Sequence, residues 1–199
     1  MKKRGFTIIE VVLVLAIAGL IFLMVFIALP ALQRSQRNTR RRQDISRIST
    51  AVTQYLASNN KLPFSGDGSN KVIDYKFVTN YVESDAKCYK TSGDLCTEDI
   101  KGGRARANFK CETGDCSEFS DPDGTPYGIW YWGLAENADL SSFIGPSKSS
   151  DNFKAHWIYA VSKAKCDGSD NVVGEASGTN DFALVYILEG GSVYCVDNS

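Results

Sequence analysis

Histidine is nearly absent: His156 is the only one in 199 residues. That argues against histidine-based metal sites and against histidine acid–base chemistry. The chain also shows no nucleophile–base set, no phosphate-cradling glycine loop and no plausible metal cluster, so it reads as a non-enzyme without a cofactor. His156 itself, between Ala155 and Trp157 in a strand-like run, reads as a packed or surface residue. Cysteine is missing from the first 87 residues, and all six lie beyond them. Charge is missing from Val11 to Leu29, where the sequence is almost unbroken apolar. What remains is ordinary: 43% hydrophobic and 23% charged residues are globular values and exclude wholesale disorder.

The net charge of -1 hides a division. Residues 1–60 carry nine Lys/Arg and two Asp/Glu, whereas residues 61–199 carry thirteen and twenty-one. A basic, apolar arm therefore precedes an acidic globular part. The run from Val11 to Leu29 is long enough for a membrane helix, which needs roughly 20 apolar residues. Glu10 sits near its start, and a carboxylate so close to hydrocarbon is costly. A secretory signal peptide fits poorly. The run exceeds an h-region of about 7–15 residues, Glu10 interrupts its start, and Ala28-Leu29-Pro30-Ala31 is a weak cleavage sequence. A plain membrane anchor leaves Glu10 unexplained.

The opening Lys2-Lys3-Arg4-Gly5-Phe6-Thr7-Ile8-Ile9-Glu10 accounts for both features. A short basic leader, Gly before Phe, and Glu four residues after Phe, all ahead of an apolar helix, resemble the leader and cleavage site of type IV prepilins. The resemblance implies cleavage between Gly5 and Phe6 by a prepilin peptidase and N-methylation of Phe6. It also implies a partner for Glu10, namely the new α-amine of Phe6 on a neighbouring subunit. In a low-dielectric helix bundle such a pair is strongly directional and sets register. The chain departs from the family in one respect. Pro30 lies about three residues later than the usual helix proline, after a longer run from Leu20 to Ile27. Pro30 favours a kink or local melting, and Gly19 is a second weak point.

Beyond Pro30, Ile45, Ile48, Val52, Tyr55 and Leu56 recur at spacings of three and four, an amphipathic helical stripe. Asn59-Asn60-Lys61-Leu62-Pro63 reads as its stop. One helix from Phe6 to about Ser58 would measure roughly 80 Å. Arg34, Arg37, Arg40, Arg41, Arg42 and Arg47 cluster just past the apolar run. The positive-inside rule would keep them in the cytoplasm, against the topology the leader implies. Three readings stand for these arginines: a solvated helix face, contact with acidic heads of neighbouring subunits, or binding of nucleic acid or an anionic cell-surface polymer.

The expected organisation is a leader at 1–5, a transmembrane and filament-core helix at 6–30, an amphipathic continuation at 31–60, and an extracellular head at 61–199. In the head, Ser69–Val82 reads as a second helix and residues 83–128 as loop-rich. Strand signals are Ile129–Trp132, His156–Val161, Phe182–Leu188 and Ser192–Val196, the last two joined at Glu189-Gly190-Gly191. The fold class is α+β: a long helix on a small antiparallel sheet with disulfide-rich loops, an order that also resembles type IV pilins.

An even cysteine count beside a membrane segment favours disulfides outside the cytoplasm. The gaps from Cys88 to Cys96 and from Cys111 to Cys116 do not match the short pairs of structural zinc sites. Six cysteines allow fifteen pairings. The favoured set is Cys88–Cys96, Cys111–Cys116 and Cys166–Cys195, the last as pilins often close their C-terminal loop. Asp121-Pro122-Asp123-Gly124 looks like a turn of pseudopilins and some pilins; Asp121 and Asp123 are a minor calcium alternative. Trp130, Tyr131, Trp132 and Trp157 read as core aromatics or as an exposed sugar-binding patch.

The resemblance implies a structural subunit of a type IV pilus, a helical homopolymer of identical subunits raised by an assembly platform and ATPase motors. Its precursor would lie in the cytoplasmic membrane, its filament outside, serving adhesion, twitching motility or DNA uptake. The alternatives are a pseudopilin of a type II secretion system, a minor tip-located pilin, and a membrane-tethered binding domain that never polymerises.

Overall fold

The computed structural model describes residues 5–66, 71–82, 87–88, 90–92, 95–97, 105–108, 121–125, 127–134, 157–167, 173–176 and 178–198. It divides into two compact units, Met1–Thr39 and Arg40–Ser199. Helix α1, Ile8–Asn59, runs unbroken through Gly19 and Pro30. It stops where the asparagines predicted. Asn60 adopts φ 53°, and its N–H donates to the Leu56 carbonyl at 2.8 Å, while Asn59 Nδ2 donates to the Tyr55 carbonyl at 3.0 Å. A left-handed residue just past the last turn satisfies a carbonyl that the helix leaves unpaired, and asparagine tolerates that conformation.

In the second unit the amphipathic stripe is buried as its spacing requires. Ile45, Ile48, Val52 and Tyr55 are at most 3% exposed. They pack with Ile129, Tyr131, Ile158, Phe182, Leu184 and Tyr186 in one apolar cluster. Those six come from one sheet, in spatial order β12-β11-β8-β7-β6-β3. Its strands are β3 (Lys87–Cys88), β6 (Ala105–Asn108), β7 (Gly128–Leu134), β8 (Trp157–Ser162), β11 (Phe182–Ile187) and β12 (Val193–Asp197). Alternate residues on the same strands point the other way. Trp130, Trp132, Trp157, Tyr159 and Val185 form a second cluster on that face. The tryptophans are 9% exposed or less, so they are core aromatics and not an exposed binding patch. The sheet is thus buried on both faces, which explains the nearly continuous apolar runs of β8 and β11.

Four predicted strands correspond to β7, β8, β11 and β12. The β11–β12 hairpin turns at Gly190 (φ 103°) and Gly191 (φ 84°), conformations that favour glycine. Two details differ from expectation. First, β7 and β8 are parallel, so the sheet is mixed. Gly128 stands opposite Trp157 there, and a Cβ on it would collide with the indole ring. Second, the helix expected over 69–82 begins as a strand. β2 (Val72–Asp74) pairs with β1 (Phe64–Ser65) and with β5 (Leu95–Thr97). Only then does a helical turn start, α2 (Tyr75–Phe77), followed by a π-helical turn at Val78–Val82. Asp74 decides the switch: its side chain caps the turn by accepting the Lys76 N–H at 2.9 Å. Sheet order β1-β2-β5-β4, with β4 at Lys90–Ser92, places short strands inside the stretch read as loop. Two or three residues per strand are too few for a periodic signal.

β9 (Ala164–Cys166) pairs with β10 (Val173–Glu175), and Cys166 is bonded to Cys195 of β12 with Cα atoms 5.9 Å apart. A crosslink across 29 residues is worth about 3.5 kcal/mol through the entropy of the unfolded chain. Replacing both cysteines with alanine in the detergent-solubilised chain is expected to lower the midpoint of thermal unfolding by roughly 10 °C. A change within measurement error in calorimetry would remove the disulfide from the list of stabilising elements. Cys111, Cys116 and His156 lie outside the described residues, as do the side chains of Cys88 and Cys96, so the expected pairings among these four cysteines are not described.

Candidate functional site

In the first unit the dominant feature is exposed apolar surface. Every residue from Leu20 to Ile27 is 51–72% exposed, so all sides of the helix are bare. Among the described residues, the large exposed hydrophobic side chains all lie between Phe6 and Leu32. The helix holds one span with a mean hydropathy of 3.2, long and apolar enough to cross a membrane. Fully burying one such Leu, Ile or Phe is worth about 1.5–3 kcal/mol, so this surface demands lipid or protein around it.

Glu10 has a partner inside its own chain. Its Oε2 accepts the Thr7 backbone N–H at 2.8 Å and the Thr7 hydroxyl at 2.8 Å, while the Thr7 hydroxyl accepts the Glu10 N–H at 3.3 Å. Thr7 is the N-cap and Glu10 the third helical residue, which is a capping box. Gly5, Phe6 and Thr7 stay outside the helix, so the Gly5–Phe6 peptide precedes its first turn. The sequence carries the signal as Thr7-x-x-Glu10 before an apolar run, a capping-box pattern that overlaps the Phe6-to-Glu10 spacing of the leader motif.

A second cluster lies in the Arg40–Ser199 unit. Arg41, one of the clustered arginines for which a solvated helix face is one of three readings, is 5% exposed. Its Nε and Nη2 donate to the two oxygens of Asp121 at 2.7 and 2.6 Å, a bidentate pair. Glu189 stands 3.4 Å from Nη1, and Asp123 lies 3.9 Å from Nη2. The Tyr186 hydroxyl donates to Asp121 Oδ2 at 2.7 Å and the Asp123 N–H to Oδ1 at 3.1 Å. The Asp121–Gly124 turn closes with the Gly124 N–H on the Asp121 carbonyl at 2.7 Å. Four donors fill the carboxylate, and Arg41 is the cation that Asp121 binds. Burial alone would push the Asp121 carboxyl up. The hydrogen bonds from Arg41 and Tyr186 outweigh it and hold the group below the usual carboxylate range. Burial pushes the phenols of Tyr127 and Tyr186 up, so both remain protonated donors. The spacing contained this too: Arg41 and Asp44 are each four residues before a member of the buried stripe, Ile45 and Ile48.

Asp44 is shifted the other way. Burial pushes its carboxyl up, against a hydrogen bond from the Tyr127 hydroxyl at 3.1 Å and the nearby Arg40 and Arg47. A carboxylate whose folded pKa is raised costs stability above that pKa and returns it as pH falls through it. Asp44→Asn keeps an acceptor for Tyr127 and removes the desolvated charge. At pH 7 it is expected to unfold within about 1 kcal/mol of the parent, on the stabilising side, with the advantage fading as pH falls below the raised pKa of Asp44. A loss of several degrees in thermal unfolding at pH 7 would contradict this.

Residues 1–26 match the family model described as the prokaryotic N-terminal methylation motif. No curated protein and no solved structure matches the chain. The match ends within the exposed apolar run and covers Gly5, Phe6 and Glu10. Residues 1–26 thus carry the type IV prepilin signature, and from Ile8 onward that segment lies on a helix whose apolar surface is bare on every side.

Proposed function

We propose that the chain is a structural subunit of a type IV pilus. A prepilin peptidase cuts between Gly5 and Phe6 and methylates Phe6, and the subunit waits in the cytoplasmic membrane with residues 61–199 outside. An assembly platform and ATPase motors then draw it into a helical homopolymer, packed through α1, that emerges as a surface filament for adhesion, twitching motility or DNA uptake. The observation that carries this reading is the bare apolar circumference of α1 beside a single carboxylate at its start. A helix of that kind is stable in lipid and equally in a bundle of its own copies. Glu10, capped by Thr7 in the isolated chain, exchanges part of that hydrogen bonding for the Phe6 amine of a neighbour.

Mass spectrometry of filaments sheared from cells is the direct test. The expected N-terminus is N-methylated Phe6. An intact Met1 on a protein confined to the membrane would instead identify a tethered domain. The Asp121–Gly124 turn, which looks like that of pseudopilins and some pilins, keeps a type II secretion pseudopilin as the second reading. Processed protein that yields no surface filaments would favour it.

A further inference from the structure

We propose that Arg34 and Arg37 bind the phosphates of outer-leaflet phospholipids and so fix the depth of α1 in the bilayer before assembly. The inference rests on α1 being a membrane anchor, and on nothing about what the filament does. No charged residue lies between Glu10 and Arg34. Their separation of 24 positions along one unbroken helix is about 36 Å, and Arg37 lies about 40 Å from Glu10. A bilayer's hydrocarbon core is about 30 Å thick, and about 40–45 Å with its headgroups. With Glu10 at one boundary, both guanidiniums reach the headgroup layer opposite. Leu32, the last large exposed hydrophobic residue, is only two positions before Arg34.

Positions 34 and 37 are three apart and share one side of the helix. Arg34 is exposed and Arg37 half-buried. Each already interacts within the chain, and a guanidinium carries five donors in a fork that matches phosphate oxygens. The later arginines stand apart from this pair. Arg41 is committed to Asp121, and Arg42 lies over the Tyr194 ring at 5.2 Å.

The test uses the full chain, labelled with ¹³C at arginine Cζ, in phosphatidylglycerol vesicles. Carbon–phosphorus dipolar dephasing in solid-state NMR reads arginines in direct contact with phosphate. The parent protein is expected to dephase, Arg34→Gln/Arg37→Gln to lose more than half of that signal, and Arg40→Gln/Arg47→Gln to keep it. Absence of dephasing in the parent, or equal dephasing in the Arg34/Arg37 double variant, overturns the proposal. Arginine contacts to carboxyl carbons of differently labelled copies, without phosphate contact, would assign the pair to a second subunit instead. Phosphate contact in a protein with an intact Met1 keeps this inference and removes the pilus reading. Methylated Phe6 without phosphate contact does the reverse.

Discussion

Glu10→Gln is expected to stop filament formation while leaving the protein in the membrane. The substitution separates the cap on Thr7 from the proposed pairing with the Phe6 amine of a neighbouring subunit. Glutamine retains an acceptor for the Thr7 N–H and hydroxyl, and Gln serves in capping boxes as Glu does. The start of α1 is therefore preserved, and only the negative charge is lost. In a bundle of apolar helices the Phe6 amine of the neighbour would then stand without its counter-charge. Removing one member of a buried pair costs about 3–5 kcal/mol, so each subunit contact weakens by more than about a hundredfold. Glu10→Val removes cap and charge together and should fail at least as completely, while inserting into the membrane as well as the parent or better. Sheared-filament yield and carbonate-resistant membrane protein are the two readouts. Wild-type filaments from Glu10→Gln would show that the carboxylate acts only as a cap.

The second large effect is expected at Asp121. Asp121→Ala removes the bidentate acceptor of the buried Arg41 guanidinium, with Glu189 and Asp123 at longer range among the partners that stay. It also strips the Tyr186 hydroxyl of its acceptor. The expected loss is about 3–5 kcal/mol of folding stability, or roughly 10 °C in thermal unfolding of the detergent-solubilised chain. Adding Arg41→Met should recover much of it, because an apolar side chain removes the orphaned charge that carries the penalty. If the double variant is no better than Asp121→Ala alone, the cost lies in the Asp121–Gly124 turn and not in the ion pair. The pH dependence has a definite sign. Asp121 is held below the usual range, so its contribution is complete above the unfolded carboxyl pKa of about 3.9. It is lost as pH falls through the lower, folded pKa. The gap between parent and Asp121→Ala should close across that acid window and stay constant between pH 5 and 8. Asp44 titrates in the opposite sense, so the two variants should diverge with pH.

The pair at Arg41 and Asp121 shows where reading a sequence reaches its limit. Burial of Ile45, Ile48, Val52 and Tyr55 followed from a periodicity of 3.6, a property of the helix alone. The same periodicity put Arg41 on that face, but a charge there is stable only if a counter-charge arrives from elsewhere in the chain. Asp121 is 80 residues away, and no local pattern links the two. The helix expected over 69–82 gives way to a strand at Val72–Asp74 for a related reason. Val72, Tyr75, Val78 and Val82 have helical spacing, yet Ile73 gains more by entering the sheet between Phe64 and Cys96, where it is fully buried. Tertiary pairing overrides local propensity in so short a segment. The parallel β7–β8 arrangement was equally hidden, since two buried strands have the same apolar sequence whichever way they run.

The sequence by itself determined what is encoded within about one helical turn or one strand of neighbouring residues. That covers the prepilin signature at residues 1–26, the apolar length of α1 and its end at Asn59-Asn60, the four long strands, and the β11–β12 turn. Only the tertiary structure decided which charges are buried and what they pair with, which face of the sheet takes the tryptophans, and which strands are neighbours. Those outcomes depend on contacts across tens of residues, whose closure entropy is repaid only when the whole core forms. Glu10 belongs to both classes. Its position near Phe6 and its spacing from Thr7 are written in the chain, whereas the hydrogen bonds between Thr7 and Glu10 exist only once the helix has its first turn.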